Sequence, residues 1–85
     1  MANHKSALKR AIQSEQRRQR NKAVQTRVKN VVKDVNLSVA ENADDAGQRF
    51  NVAKSVIDKA SKKGVLHKRT AARKISRLAK KVNAL

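Results

Sequence analysis

The sequence contains no proline and only two glycines, Gly47 and Gly64, in 85 residues. These are the two residue types that most strongly interrupt a helix. The rest is rich in alanine, lysine, arginine and glutamine, which are good helix formers, and in valine. The chain therefore favours long helices over strands, and its length suits a single domain over residues 1–85.

Apolar residues recur every three or four positions in three segments. They are Val24, Val28, Val31, Val32, Val35 and Val39; Ala46, Phe50, Ala53, Val56, Ile57 and Ala60; and Ala71, Ile75, Leu78, Val82 and Leu85. Each set forms one face of a helix. We predict an all-α fold, an antiparallel three-helix bundle with helices over about residues 5–41, 43–63 and 67–83. Asn42 and Asp45 are expected to cap the second helix, and Gly64 to end it.

The net charge of +16 is concentrated at the two ends of the chain. Residues 1–33 carry ten basic residues and one acidic residue (+9), residues 34–61 carry three and five (−2), and residues 62–85 carry nine and none (+9). A compact chain with this excess of positive charge repels itself unless a polyanion neutralises it. The pattern indicates that both ends bind nucleic acid and that the middle holds them together.

The first predicted helix is too long to pack along its whole length. It would span about 55 Å, about twice the length of its partners, so its N-terminal half should project. Residues 13–22, QSEQRRQRNK, include no apolar side chain, and the basic residues of this half are distributed around the whole circumference. We expect RNA or DNA to surround it and to order residues 1–22 on binding. Leu8 and Ile12 would touch sugar or base edges in a groove, form an exposed pair, or act as a local hydrophobic staple.

The third predicted helix has two distinct faces, with its basic residues lying opposite the Ile75 stripe. Those basic residues are Arg69, Arg73, Lys74, Arg77, Lys80 and Lys81. Because Phe50 is the single aromatic residue and is expected in the core, no aromatic surface remains for stacking unpaired bases. Contacts to phosphate, ribose and groove edges of folded RNA fit this composition better.

Several blocks of sequence together resemble the bacterial small-subunit (30S) ribosomal protein S20 family. They are MANHKSALKRAIQSE at the N-terminus, Arg17-Arg18, SVIDKA at residues 55–60, KGVLHK at residues 63–68, and Ala71-Ala72-Arg73. The resemblance covers essentially the whole chain. It implies a three-helix bundle with an extended first helix and direct binding to small-subunit (16S) ribosomal RNA, low on the body of the subunit near the long penultimate stem. Contacts with the rest of the 30S particle would then run mainly through RNA.

Carried over to matching positions, the resemblance implies two RNA-binding regions. It assigns Asn3, Lys5, Ser6, Lys9, Arg10, Ser14, Arg17 and Arg18 to the first, and His67, Lys68 and Arg73 to the second. With the basic and polar residues of the same segments, the expected RNA-binding set also includes Arg20, Asn21, Lys22, Arg27, Arg69, Lys74 and Arg77. His67 is expected to cap the third helix, to contact RNA, or to do both.

Other functions find less support in the sequence. The sequence lacks cysteine, a pair of carboxylates near a histidine and a glycine-rich phosphate loop. We therefore expect that the protein is not an enzyme and that it binds no cofactor, metal or small-molecule substrate. Without a long apolar segment or a secretory signal, we expect no membrane contact and a cytoplasmic location in the ribosome. A leucine-zipper protein would need a longer heptad stripe with leucines. Architectural DNA binding is harder to separate from RNA binding by charge alone.

Overall fold

The chain folds into three helices joined by two short turns. The computed structural model describes residues 2–85, with side chains from residue 4 onward. The helices are α1 (Ala2–Ala40), α2 (Ala46–Lys62) and α3 (Lys68–Asn83), and the described residues include no strand. Because the turns are short, successive helices run antiparallel, and α2 packs against both α1 and α3. The predicted all-α bundle is confirmed, and α1 starts a few residues earlier than expected.

The three apolar stripes meet in one small core. Its fully buried residues include Val35, Ala53 and Ile57, each with 0% of its surface exposed. The other buried members of the cluster are Val28, Val56, Ala60, Ala71 and Leu78, and Phe50, Ile75 and Val82 pack partly buried against them. Leu85 is an exception, because it follows the end of α3 and is 52% exposed. Its predicted place in the α3 stripe is wrong because the helix ends at Asn83, so the helical period no longer sets the direction of this side chain.

The turn between α1 and α2 differs from the sequence expectation. Asn42 does not cap α2; it ends α1 in the left-handed conformation, with φ 51°. The Ala43 N–H donates to the Ser38 carbonyl at 2.9 Å and the Asn42 N–H to the Val39 carbonyl at 3.1 Å. This pattern is a Schellman motif, and asparagine tolerates its positive φ better than most residues do. As a result α2 begins at Ala46 and not near residue 43.

Asp45 occupies the N-cap position of α2 but binds side chains instead of the helix backbone. The Ser38 hydroxyl, fully buried, donates to Oδ1 of Asp45 at 3.0 Å, and Nε of Arg49 donates to Oδ2 at 2.8 Å. The hydrogen bond from Ser38 is the main reason that the pKa of Asp45 is lowered; partial burial opposes it and Arg49 adds to it. The carboxylate therefore links the end of α1 to the start of α2.

The turn between α2 and α3 repeats the same backbone motif at Gly64. The Gly64 N–H donates to the Ser61 carbonyl and the Val65 N–H to the Ala60 carbonyl, both at 3.0 Å. Gly64 has φ 79°, a conformation that costs little without a side chain. The predicted role of Gly64 at the end of the second helix is confirmed.

The molecule is elongated because the bundle uses only half of α1. Its extents are 64 × 21 × 14 Å and its radius of gyration is 17.5 Å, where a compact domain of this length would have about 12 Å. Val24 is the first residue of α1 that packs against the core. Within the described residues, no helix is apolar enough over a sufficient length to cross a bilayer.

Candidate nucleic-acid interface

The N-terminal half of α1 projects from the bundle with every described side chain exposed. This projecting half comprises residues 4–23, all of which are exposed. It carries most of the residues expected to bind RNA: Lys5, Ser6, Lys9, Arg10, Ser14, Arg17, Arg18, Arg20, Asn21 and Lys22. Asn3 belongs to α1, but its side chain lies outside the described part of the chain. The helix therefore presents these groups to any ligand without competition from the core.

The cations cover most of the helix circumference but not all of it. At about 100° per residue, the basic residues of the projecting half leave one sector roughly 100° wide, between the directions of Lys22 and Lys5. That sector holds Leu8, Ile12, Glu15 and Gln19. Leu8 is 64% exposed and Ile12 is 51% exposed. The expectation that cations surround the whole helix is therefore too broad, since one side is apolar and weakly acidic.

Arg18 is the one cation of this half that has an ion-pair partner among the described residues. Its Nη2 lies 3.3 Å from Oε1 of Glu15, and both side chains are largely exposed. Exposed pairs of this kind contribute about 0.2–1 kcal/mol. A phosphate can therefore replace Glu15 as the partner of Arg18 at little cost.

The second expected contact region begins at the N-terminus of α3, which His67 caps. Nδ1 of His67 accepts a hydrogen bond from the Arg69 N–H at 3.1 Å, and His67 has the extended conformation of an N-cap residue. The imidazole itself stays exposed. Its Nε2 edge therefore points away from the capping bond and can contact a ligand while the cap is intact.

Beyond this cap, α3 exposes a row of cations on the side opposite its buried residues. This row consists of Arg69, Arg73, Arg77 and Lys80, all exposed. Lys68 and Lys81 are also exposed but lie beside the buried face, and Lys74 is half-buried. Nζ of Lys81 donates to Oδ1 of Asn36 at 2.9 Å, so this lysine also ties α3 to α1. The predicted two-faced design of α3 is confirmed.

The structure also brings one basic residue, Lys63, close to the projecting half, although it is not in the expected RNA-binding set. A depression of about 790 Å³ lies between the projecting half and the α2–α3 turn, and Arg17, Arg20 and Asn21 line it together with Lys63. Further along α1, Arg27 is exposed beside α2. The proximity of Lys63 to α1 depends on tertiary packing, which sequence spacing does not reveal.

An elongated basic helix joined to a small bundle with a second basic face is the architecture that the resemblance implied. Comparison with known families gives a match to ribosomal protein S20 over residues 2–83. The chain belongs to the ribosomal protein S20 family. Both basic regions, the projecting half and the exposed face of α3, lie within the matched range.

Similar S20 proteins are found in several bacteria. The small ribosomal subunit protein bS20 of Syntrophobacter fumaroxidans is 55% identical, with all of both chains covered. Those of Desulfatibacillum aliphaticivorans and Nitratidesulfovibrio vulgaris (strain DP4) are each 56% identical. The alignments cover 100% of this chain and 98% of the first relative, and 98% of this chain and 97% of the second. The S20 similarity thus extends over at least 97% of the length of each of these relatives.

Proposed function

We propose that this chain binds 16S ribosomal RNA directly, through phosphate and groove contacts, and stabilises the folded RNA within the 30S subunit. As a member of the S20 family it is a structural component of the small ribosomal subunit in the cytoplasm, and it is not an enzyme. The observation that carries the proposal is the projecting half of α1, a helix in which every described side chain is exposed and which carries seven lysines and arginines.

Such a helix is poorly stabilised by the protein itself. Most of the stability of a protein helix comes from packing one face against other elements, and residues 4–23 have no buried face. Cations on neighbouring turns also repel one another. An RNA strand removes this repulsion between cations, because lysine and arginine bind its phosphates with charge-assisted hydrogen bonds. The counterions condensed on the RNA are released at the same time. RNA therefore supplies the stabilisation that the core does not.

The bundle gives this binding its geometry. The core joins the packed half of α1 to α3. Once RNA orders the projecting half as a helix, that half and the cations at Lys68, Arg69, Arg73 and Arg77 are therefore in a fixed arrangement. Binding both at once would hold two parts of the RNA at a set separation. Other contacts within the 30S particle would then run mainly through RNA. Phosphate contacts of this kind position the RNA, and the shape of the folded RNA provides most of the selectivity.

The test compares two double variants within α1. Arg17→Ala with Arg18→Ala removes two cations from the projecting half, and Lys29→Ala with Lys33→Ala removes two exposed cations from the half that packs in the bundle. We expect the wild-type affinity for 16S ribosomal RNA to fall with salt, with a log–log slope of several units. The first variant should reduce that slope by about 1.4–1.8, at 0.7–0.9 per phosphate. The control should change it less, and neither should change bundle melting appreciably.

Two results would contradict the proposal. One is a wild-type slope below one, which would mean that few phosphates are contacted. The other is equal affinity for random duplex DNA and for folded ribosomal RNA in competition, which would favour architectural DNA binding.

A further inference from the structure

A groove between α1 and α2 combines an apolar floor with a basic rim. It has a volume of about 400 Å³. Val24 and the 56%-exposed Val52 contribute to the floor, and Arg27, Lys59 and Lys63 form the basic part of the rim, with Ser55 between them. The residues described as lining the groove include no carboxylate.

The groove continues into the projecting half of α1. Val24 and Lys63 line both this groove and the depression that contains Arg17 and Arg20. A single basic track therefore runs from the projecting half, along the α1–α2 groove, to Lys59 near the end of α2. From Arg17 to Arg27 it follows α1 for about 15 Å at 1.5 Å per residue.

We propose that the α1–α2 groove binds a backbone segment of the RNA strand that the projecting half contacts. In this arrangement Arg27, Lys59 and Lys63 bind successive phosphates. Val24 and Val52 pack against ribose, and the Ser55 hydroxyl is placed to bond a 2′-hydroxyl. The inference rests on the proposed function, and it adds Lys59 and Lys63 to the RNA-binding residues.

Charge complementarity selects RNA over other occupants. The cations of the groove would also attract an acidic protein segment. The groove is, however, continuous with the projecting half, which carries seven cations and one acidic residue, Glu15. A polyanion that binds along the projecting half therefore reaches the α1–α2 groove. Lys54 lies roughly 160° around the helix from Val52, and neither Lys54 nor Lys62 lines the groove.

The test removes two charges from the groove and two from outside it. Lys59→Gln with Lys63→Gln changes the rim, and Lys54→Gln with Lys62→Gln is the matched control on the same helix. The groove pair removes two cations at the C-terminus of α2, Lys59 and the C-cap residue Lys63, and the control removes one, Lys62. Thermal melts of both variants therefore separate a change in helix stability from a loss of RNA contact. We expect the groove variant to reduce the salt slope for 16S ribosomal RNA binding by about 1.4–1.8, and the control to reduce it by less than half as much.

A second measurement locates the RNA. The protein has no cysteine, so Ser55→Cys gives a unique attachment point for a hydroxyl-radical probe in the groove. Asp44→Cys, at the acidic α1–α2 turn, is the control. We expect strong cleavage of 16S ribosomal RNA from position 55 and weak cleavage from position 44.

The outcomes separate this inference from the proposed function. If the Arg17/Arg18 variant loses affinity while the groove variant binds as wild type and position 55 does not cleave RNA, the protein binds ribosomal RNA but the groove does not. An acidic protein would then become the candidate occupant. If wild-type protein does not bind the RNA at all, both proposals are wrong.

Discussion

Gly47 lies inside α2 and Gly64 lies just beyond its C-terminus, and the two glycines differ in backbone conformation. Gly47 lies in the first turn of α2, where an added Cβ would meet nothing within 4 Å. Gly64 has equal space, but its φ of 79° lies in the left-handed region. Space does not limit either position, so backbone conformation alone should decide the effect of a substitution.

Replacing the two glycines by alanine should therefore give opposite results. Gly47→Ala should raise the free energy of unfolding by about 0.4–1 kcal/mol, because the unfolded chain loses freedom and the helix loses nothing. Gly64→Ala should lower it by about 1–2 kcal/mol through left-handed strain. Urea unfolding followed by circular dichroism measures both. A stabilising Gly64→Ala would contradict the Schellman geometry of the α2–α3 turn.

His67 has a structural role that can be separated from its proposed RNA contact. His67→Ala should cost about 1 kcal/mol of stability because the Arg69 N–H loses its partner. His67→Asn should recover most of that loss, since asparagine is a good N-cap. Its affinity for 16S ribosomal RNA should nevertheless stay below wild type, because the imidazole edge is gone. Wild-type RNA affinity in His67→Asn would restrict His67 to capping.

At the scale of elements, the sequence revealed the faces of the helices better than their ends. The period of the valine stripe placed Val28 and Val35 in the core because burial of one helix face follows directly from spacing. Asn42 was assigned wrongly because asparagine suits both an N-cap and a left-handed C-terminal position. In the structure Asp45 occupies the N-cap position of α2, with its carboxylate held by Ser38 and Arg49, and Asn42 ends α1.

The α1–α2 turn should make the bundle sensitive to acid. The Ser38 hydroxyl lowers the pKa of Asp45 in the folded chain, so the ionised carboxylate stabilises the fold above the ordinary carboxyl pKa of about 3.9. That contribution disappears as the pH falls through the lowered pKa. The difference in stability between wild type and Asp45→Asn should therefore shrink below about pH 4.

Thermal melts of both proteins between pH 6 and pH 2 measure this difference. Asp44→Asn, at the exposed neighbouring residue, is the control for a general change in charge. A difference in melting temperature between wild type and Asp45→Asn that stays constant over the whole pH range would mean that Asp45 does not stabilise the turn through its charge.

The two halves of α1 should differ in stability when RNA is absent. The C-terminal half of α1, which packs in the bundle, nucleates the helix. The projecting N-terminal half extends from it without side-chain packing. Amide hydrogens of residues 4–22 should therefore exchange quickly in the free protein, with protection rising toward Val24, and slowly in the RNA complex. Protection of these amides in free protein equal to that of residues 28–39 would show that the helix needs no RNA.

For the whole molecule, both the elongated shape and the positive charge favour RNA binding by the projecting half of α1. The molecule measures 64 × 21 × 14 Å because about half of its longest helix lies outside the core, and the chain carries a charge of +16. The sequence predicted this projection because the apolar stripe stops at Val24 while helix-forming residues continue toward the N-terminus. It did not predict the α1–α2 groove, since Lys63 and Arg27 are far apart along the chain and only the packing of the helices brings them together.

The most direct test of the central claim is a high-resolution structure of the assembled small subunit containing this protein. We expect 16S ribosomal RNA along the projecting half of α1, with phosphate oxygens within about 4 Å of several of its arginine and lysine nitrogens. The sector around Leu8 and Ile12 should carry the fewest phosphates. A projecting half that lies bare in solvent, or folds back on its own bundle, would contradict the claim.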